Sequence, residues 1–416
     1  MNKLFFIIFF IPLFVNSQNE NGVHFIRKIT NWSDIVIQAK KENKYIFVDC
    51  YTTWCGPCKY VANEVFPKKN VGEFYNNNFI CLSLQMDETA KDNEDIVESR
   101  TVASSLNELY PIEAYPTFLI FNQNGLLVHK FIGAGNDSMM IAKAKSALNE
   151  NNQYYTLLDK YKNGDLDSAI LKNLVITSVE VGVNPDLFLN LYFQSIKDLY
   201  NTVNGNLLLN LSLNTKSLAF ENLFAHKEDW KKVIDKNELQ SLFVRLIFSE
   251  IASNNYFFWK QHKIENDEIL NKYILKYSTY GKIAALSYLI NYYSIEKKDA
   301  NNLKIILEEI APYPIQVLLD SYQLNFKAWS IFKYFNDKEV LTKALALSKI
   351  TIDKEPENAS FLDTYANLLY KLGNIDEAIE IQSKAISLAK LNELKKKLEN
   401  TLQKMKSNKP TWNKDD

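Results

Sequence analysis

Two cysteines with two residues between them, Cys55 and Cys58, directly follow an apolar run and directly precede a plausible helix, and no other feature constrains the fold as strongly. The run Tyr45–Tyr51 (YIFVDCY) is rich in β-branched and aromatic residues and reads as a buried strand. Gly56 and Pro57 suit a sharp turn into the first turn of a helix, where the missing proline N–H costs nothing. The order strand, dithiol, helix has a chemical reason. A thiol attacks a disulfide only as the thiolate, and the unpaired N–H groups and partial positive charge of a helix N-terminus stabilise that anion. Cys55 is therefore the expected nucleophile. Cys58, one turn further in, is the expected resolving thiol, which attacks the mixed disulfide on Cys55 and releases the product. Asp49 stands in an otherwise apolar strand, so burial should raise its pKa and suit it to moving a proton on or off Cys58.

The string Trp54–Lys59 (WCGPCK), preceded by Val48 and Asp49, resembles the active site of the thioredoxins. Tyr115, Pro116 and Thr117, then the strand FLIFNQNG and Gly133, resemble the thioredoxin loop whose cis-proline lies against the dithiol and whose preceding backbone pairs with the substrate. The resemblance covers about residues 23–148. It implies an α/β thioredoxin-like N-terminal domain over 23–150, with Cys55, Cys58 and Asp49 catalytic and Trp54, Gly56, Pro57, Tyr115 and Pro116 contacting substrate. Lys59 completes the motif, and no cofactor or metal is implied. Two departures stand out. Ser83 falls where the family often carries a lysine near the buried acid, and a longer polar segment, Glu88–Leu109, precedes the Pro116 loop, its VASSLNELY portion fitting an enlarged helix. On this alignment Cys50 faces away from Asp49 while Cys81 shares the face of Asp49, so the two read as buried free thiols rather than a second disulfide.

Taken in order, the chain opens with Asn2 and Lys3, an apolar run from Leu4 to Val15, then small or polar Asn16 and Ser17. That is the form of a secretory signal peptide over residues 1–17, since a run of about twelve residues falls short of the roughly 17–25 that span a bilayer. No later segment is apolar enough to span a membrane, so an exported, periplasmic or extracellular protein is expected. Lys and Arg number 48 against 49 Asp and Glu, a net charge of −1 that disfavours nucleic acid or an anionic membrane as partner. All four cysteines lie between Cys50 and Cys81, which does not fit a structural disulfide framework. The histidines, His24, His129, His226 and His262, show no metal-ligand spacing. Asn31, Asn136, Asn210 and Asn358 each begin an Asn-x-Ser sequon.

His24–Ile29 reads as a first strand, and the NWSDIVIQAKKENK stretch as an amphipathic helix capped by Asn31 or Ser33. Lys59–Phe66 continues the active-site helix until Pro67 interrupts it, FICLSLQM is a strand, FLIFNQNGLLVHKFIG a hairpin turning at Asn124 and Gly125, and Ser138–Leu148 a closing helix.

From about residue 151 to 405 the pattern becomes helical, as in Asp186–Ile196 and Glu238–Ile251. Leu362, Tyr365, Ala366, Leu369, Gly373, Ala378 and Ala385 fall at the spacing of a tetratricopeptide repeat, and Ala344 precedes Ala378 by that family's period, 378 − 344 = 34. Tetratricopeptide-like repeats are therefore expected at about 325–390, within an all-α domain. Residues 406–416 read as a loose polar tail.

Two functions from different classes follow. One is an exported thiol-disulfide oxidoreductase acting on client proteins with disulfides, fed by a membrane-bound or soluble thiol electron donor, with a possible protein partner on the helical repeats. The other is a protein-binding scaffold in which the helices carry the function and the thioredoxin fold is a docking module.

Overall fold

A computed structural model of the chain describes residues 21–211, 214–255 and 266–412. The signal-peptide segment 1–17, His262 and the last four residues of the polar tail lie outside the described residues. Two compact units divide at Leu199/Tyr200.

The first unit is built on a five-stranded sheet of order β1-β3-β2-β4-β5, with β1 Phe25–Ile26, β2 Tyr45–Tyr51, β3 Phe79–Gln85, β4 Thr117–Phe121 and β5 Leu127–Ile132. The three strands β1, β3 and β2 run parallel; β4 and β5 are antiparallel additions. Parallel neighbours need crossover helices, which are α1 Trp32–Glu42, α2 Gly56–Tyr60 and α3 Lys69–Asn78; α4 Glu94–Leu109 and α5 Asp137–Ser146 complete the layers. Alternation along β2 decides what each face buries. Ile46, Val48 and Cys50 face the core made with α1 and α4, and Phe47 faces the aromatic core shared with Phe66, Tyr75 and Phe118 and closed by α5.

The expected elements form with shifted ends. The first strand keeps only Phe25–Ile26 of the expected His24–Ile29, because the chain leaves the edge of the sheet to enter α1. Asn31 caps α1, its Oδ1 accepting the Ser33 N–H at 3.1 Å. After Tyr60 the active-site helix widens into a π-turn, Val61–Val65, before Pro67 ends it. The helix expected at VASSLNELY starts earlier, at Glu94, where Asn93 caps it. The hairpin turns with Gly125 at φ 77°, a conformation most residues avoid.

The compact unit runs past the sheet module, where the strand-to-helix change near residue 150 had suggested a boundary. The helices α6 Tyr154–Lys162, α7 Ser168–Glu180 and α8 Asp186–Ser195 belong to it. A buried histidine explains the attachment of α6 and α7. The Tyr154 N–H donates to His129 Nδ1 at 3.2 Å, and His129 Nε2 lies 3.2 Å from Glu180 Oε2 at the end of α7. Gly182, at φ 77°, passes Ile132 so closely that an added Cβ would sit 2.8 Å from its Cδ1.

The second unit is helical among its described residues: α9 Thr202–Asn210, α10 Leu218–Ala225, α11 Lys227–Trp230, α12 Lys236–Asn255, α13 Asn266–Asn291, α14 Ala300–Ile310, α15 Ile315–Leu318, α16 Ser321–Tyr334, α17 Lys338–Lys354, α18 Ala359–Leu372, α19 Ile375–Leu388 and α20 Asn392–Lys406. Ala344, Ala366, Ala378 and Ala385 are completely buried, which lets α17, α18 and α19 approach closely. Gly373 ends α18 at φ 95°, the left-handed cap that glycine adopts without strain. The tail is not loose up to Trp412. The Tyr370 hydroxyl donates to the Lys409 carbonyl, and the Trp412 ring packs 6.1 Å from Phe332 with the Lys371 amine 4.6 Å over it. A large ring among polar residues has apolar surface to bury, so it draws the segment down.

Candidate functional site

The dithiol sits where β2 ends and α2 begins. Cys55 and Cys58 form a disulfide with Cα atoms 5.3 Å apart. Cys55 is the N-cap of α2, and its Sγ accepts the Cys58 N–H at 3.1 Å, so one unpaired donor of the helix end points at that sulfur. This turns the sulfur inward. Cys55 is 4% and Cys58 6% exposed, so the pair is recessed, whereas Trp54, Gly56 and Pro57 around it are exposed.

The Tyr115–Pro116 peptide bond is cis, as the resemblance implies. The loop lies beside the dithiol: the Tyr115 ring meets Trp54 edge-on at 5.8 Å. The Gly133 N–H donates to the Pro116 carbonyl at 2.9 Å, tying the loop to the end of β5.

Asp49 is buried on the same sheet face as Phe47, and Ser83 pairs with it in the β2–β3 register. No cation forms an ion pair with it among the described residues. Desolvation therefore dominates and pushes its pKa from the ordinary 3.8 up to about 7. Cys50 and Cys81 are buried free thiols on opposite faces, and burial raises both pKa values.

Asp49, Cys58 and Ser83 share the wall of one cavity of about 370 Å³, which Lys59, Asn63, Arg27 and the first turns of α4 also line. The dithiol, the cis-proline loop and the buried acid thus come together from residues spread over one module.

A family profile described as a thioredoxin-like domain matches residues 32–147. Chloroplastic thioredoxin Y of Oryza sativa subsp. japonica is 33% identical over 110 residues, 26% of this chain and 54% of that protein, so the match takes in about half of its length. Thioredoxin H-type 2 of Nicotiana tabacum is 30% identical over 124 residues, 30% of this chain and 86% of its own. Thioredoxin Asp f 29 of Aspergillus fumigatus is 30% identical over 120 residues and 93% covered. The chain belongs to the thioredoxin family.

Around the thioredoxin dithiol the structure adds groups that sequence reasoning missed. Asp87 accepts the Thr53 N–H at 3.0 Å and also its hydroxyl, which pins the residue just before Trp54. Asp92, its side chain only 3% exposed, accepts from Thr89, Gln85 and Arg100; the Thr89 bonds lead in holding its carboxyl well below the usual range. Both acids lie in the polar insertion between β3 and α4. Their charge was visible in the sequence, but nothing local said that Asp87 turns back to Thr53 of the dithiol loop or that Asp92 is held by Thr89, Gln85 and Arg100. Thr52, buried in the cavity wall, was likewise missed.

Proposed function

We propose that this protein is an exported thiol-disulfide oxidoreductase that acts on protein disulfides through Cys55 and Cys58, as a reductase or isomerase. The observation that carries the reading is the disulfide at the N-terminus of α2, with Cys55 Sγ accepting a helix N–H beside the cis-proline loop. In the reduced protein the Cys55 thiolate attacks a client disulfide, forming a Cys55–client bond while the other client sulfur leaves as thiolate. Cys58 then loses its proton to Asp49 and attacks Cys55, so the client is released with both its sulfurs reduced and the enzyme pair is oxidised. Asp49 suits this task because a carboxyl with pKa about 7 can both take and give a proton near neutral pH. Trp54, Gly56 and Pro57, with Tyr115 and Pro116, form the face on which an extended client segment would lie.

The signal-like residues 1–17 support export, and a thiol or membrane-bound donor would then return electrons to Cys55 and Cys58. No helix among the described residues is long and apolar enough to cross a membrane. The helices after residue 150 would contact clients or a protein partner, and the buried alanines of α17–α19 support the tetratricopeptide-like reading of that region.

The test is direct. Cys55→Ser should abolish reduction of a protein disulfide, and Cys58→Ser should accumulate covalent mixed disulfides with clients. Undiminished turnover by the Cys55 variant would remove the proposal. Equilibration with glutathione sets the direction: a potential near about −270 mV means reduction, and a much more oxidising one means disulfide formation or isomerisation.

A further inference from the structure

The cavity of about 370 Å³ beside the dithiol is lined by one of the two cysteines and not by the other. Cys58 lies in its wall, whereas Cys55, Trp54, Tyr115 and Pro116 do not, so the cavity is separate from the face on which a client segment would lie. The exposed side chains of Arg27, Lys59, Asn63 and Asp95 form its rim, and buried Asp49 lies deeper in its wall. Among the described residues none of Arg27, Lys59 and Asp95 forms an ion pair, so two cations and one anion stand uncommitted around a space of small-molecule size, which begins at roughly 300 Å³. A ligand that matches this rim carries a carboxylate and an ammonium group close together.

The chemistry at Cys58 says what its third group is. Cys55 Sγ caps α2 and accepts the Cys58 N–H at 3.1 Å, so a thiolate on Cys55 is stabilised where it forms. In thiol-disulfide exchange the thiol of lower pKa leaves faster. A thiol entering through the cavity meets Cys58 and expels Cys55, the better leaving group.

We propose that this cavity is the docking site of the electron donor, a zwitterionic low-molecular-weight thiol that attacks Cys58 with its carboxylate on the Arg27 guanidinium and its ammonium group on Asp95. Lys59, next in sequence to Cys58, supplies the positive charge that draws in the thiolate. The inference rests on the redox reading above and names the donor that this reading requires. In the first step the donor thiolate bonds to Cys58 Sγ, the Cys55–Cys58 bond breaks, and Cys55 leaves with the electron pair as thiolate. A second donor thiolate then attacks the donor sulfur of that mixed disulfide, and Cys58 leaves with the electron pair and takes a proton from solvent. Two donor thiols, their protons released to solvent, are oxidised to one disulfide while the enzyme pair is reduced. Clients and donor thus use different sulfurs of the same bond.

The experiment mixes the full-length oxidised protein with L-cysteine, alkylates quenched samples and maps them by mass spectrometry. The rate should saturate with cysteine, and a transient cysteinyl adduct should appear on Cys58 with Cys55 alkylated. Cysteamine, which lacks the carboxylate, and mercaptopropionate, which lacks the ammonium group, should each react about tenfold more slowly at equal thiolate concentration, the size of one charge-assisted hydrogen bond. Arg27→Gln should erase the advantage of cysteine over cysteamine, and Asp95→Asn its advantage over mercaptopropionate; both positions are exposed, so neither change threatens the fold. An adduct on Cys55, or equal rates for the three thiols that Arg27→Gln leaves unchanged, would overturn the inference. Protein disulfides still reduced with dithiothreitol as donor would then leave the redox reading standing without this site. A chain that takes electrons from cysteine at Cys58 yet reduces no protein disulfide would refute the client reading and keep the donor site.

Discussion

Replacing Asp49 by asparagine should make the sheet module more stable at alkaline pH and leave it unchanged in acid. The carboxyl titrates at about 7 when folded, against an ordinary value of 3.8. Between those two pH values the native state holds a proton that the unfolded chain has released, so stability falls as pH rises. The sign is opposite to that of a salt-bridged carboxylate. Its size follows from the distance between 3.8 and about 7 at 1.36 kcal/mol per pH unit: about 4 kcal/mol lost by pH 8.5, about 2 kcal/mol by pH 5.5, and almost none at pH 3.5. Asparagine keeps the shape and never ionises, so its curve should lack this slope. The two compact units make a single global melt ambiguous, but Cys50 and Cys81 provide a local reporter. Both are buried free thiols in the sheet, and Cys55 and Cys58 are locked in a disulfide, so labelling in the oxidised protein reads unfolding of this module alone. Denaturant titrations with pulsed thiol labelling at several pH values would give both curves. Parallel curves for the two proteins would refute the argument that burial without a counter-ion sets the Asp49 pKa.

Three further outcomes are expected. His129→Phe removes the acceptor of the buried Tyr154 N–H and should cost about 1–3 kcal/mol, seen as faster proteolysis within residues 154–180 before the sheet is cut. Gly72→Ala drives a Cβ into the Asn21 carbonyl oxygen, so it should displace the 21–23 segment and destabilise the module by about 1–3 kcal/mol in the same thiol-labelling assay. Trp412→Ala uncovers Phe332 and Lys371 and should lower the stability of the second unit by roughly 1–2 kcal/mol, with hydrogen exchange rising first in α16 and α18.

Much of the site was legible because it is local. The dithiol and Asp49 both sit within one strand-turn-helix stretch, whose periodicity and turn residues are written in consecutive positions. The cis-proline loop was reached through a family pattern, since nothing in the composition of Tyr115–Thr117 brings it beside Trp54. Asp92 reads as part of the polar segment Glu88–Leu109 and Asp87 as the residue just before it, and only their bonds to Thr53 and Gln85 show what they do. The tail misled for a related reason: its polarity outweighed one tryptophan, although a single ring with a place to dock is enough to order a short segment.

The sequence by itself determined the strand, turn and helix that carry Cys55 and Cys58 and the change from strands to helices near residue 150. These depend on side-chain spacing along the chain, which the backbone period converts directly into faces. Tertiary structure alone decided that α6–α8 join the first compact unit, through the Tyr154 and Glu180 contacts to His129, and that Thr52 and Asp49 share a cavity. Those outcomes turn on which distant surfaces meet and which polar atoms are then left without a protein partner, and no period along the chain encodes either.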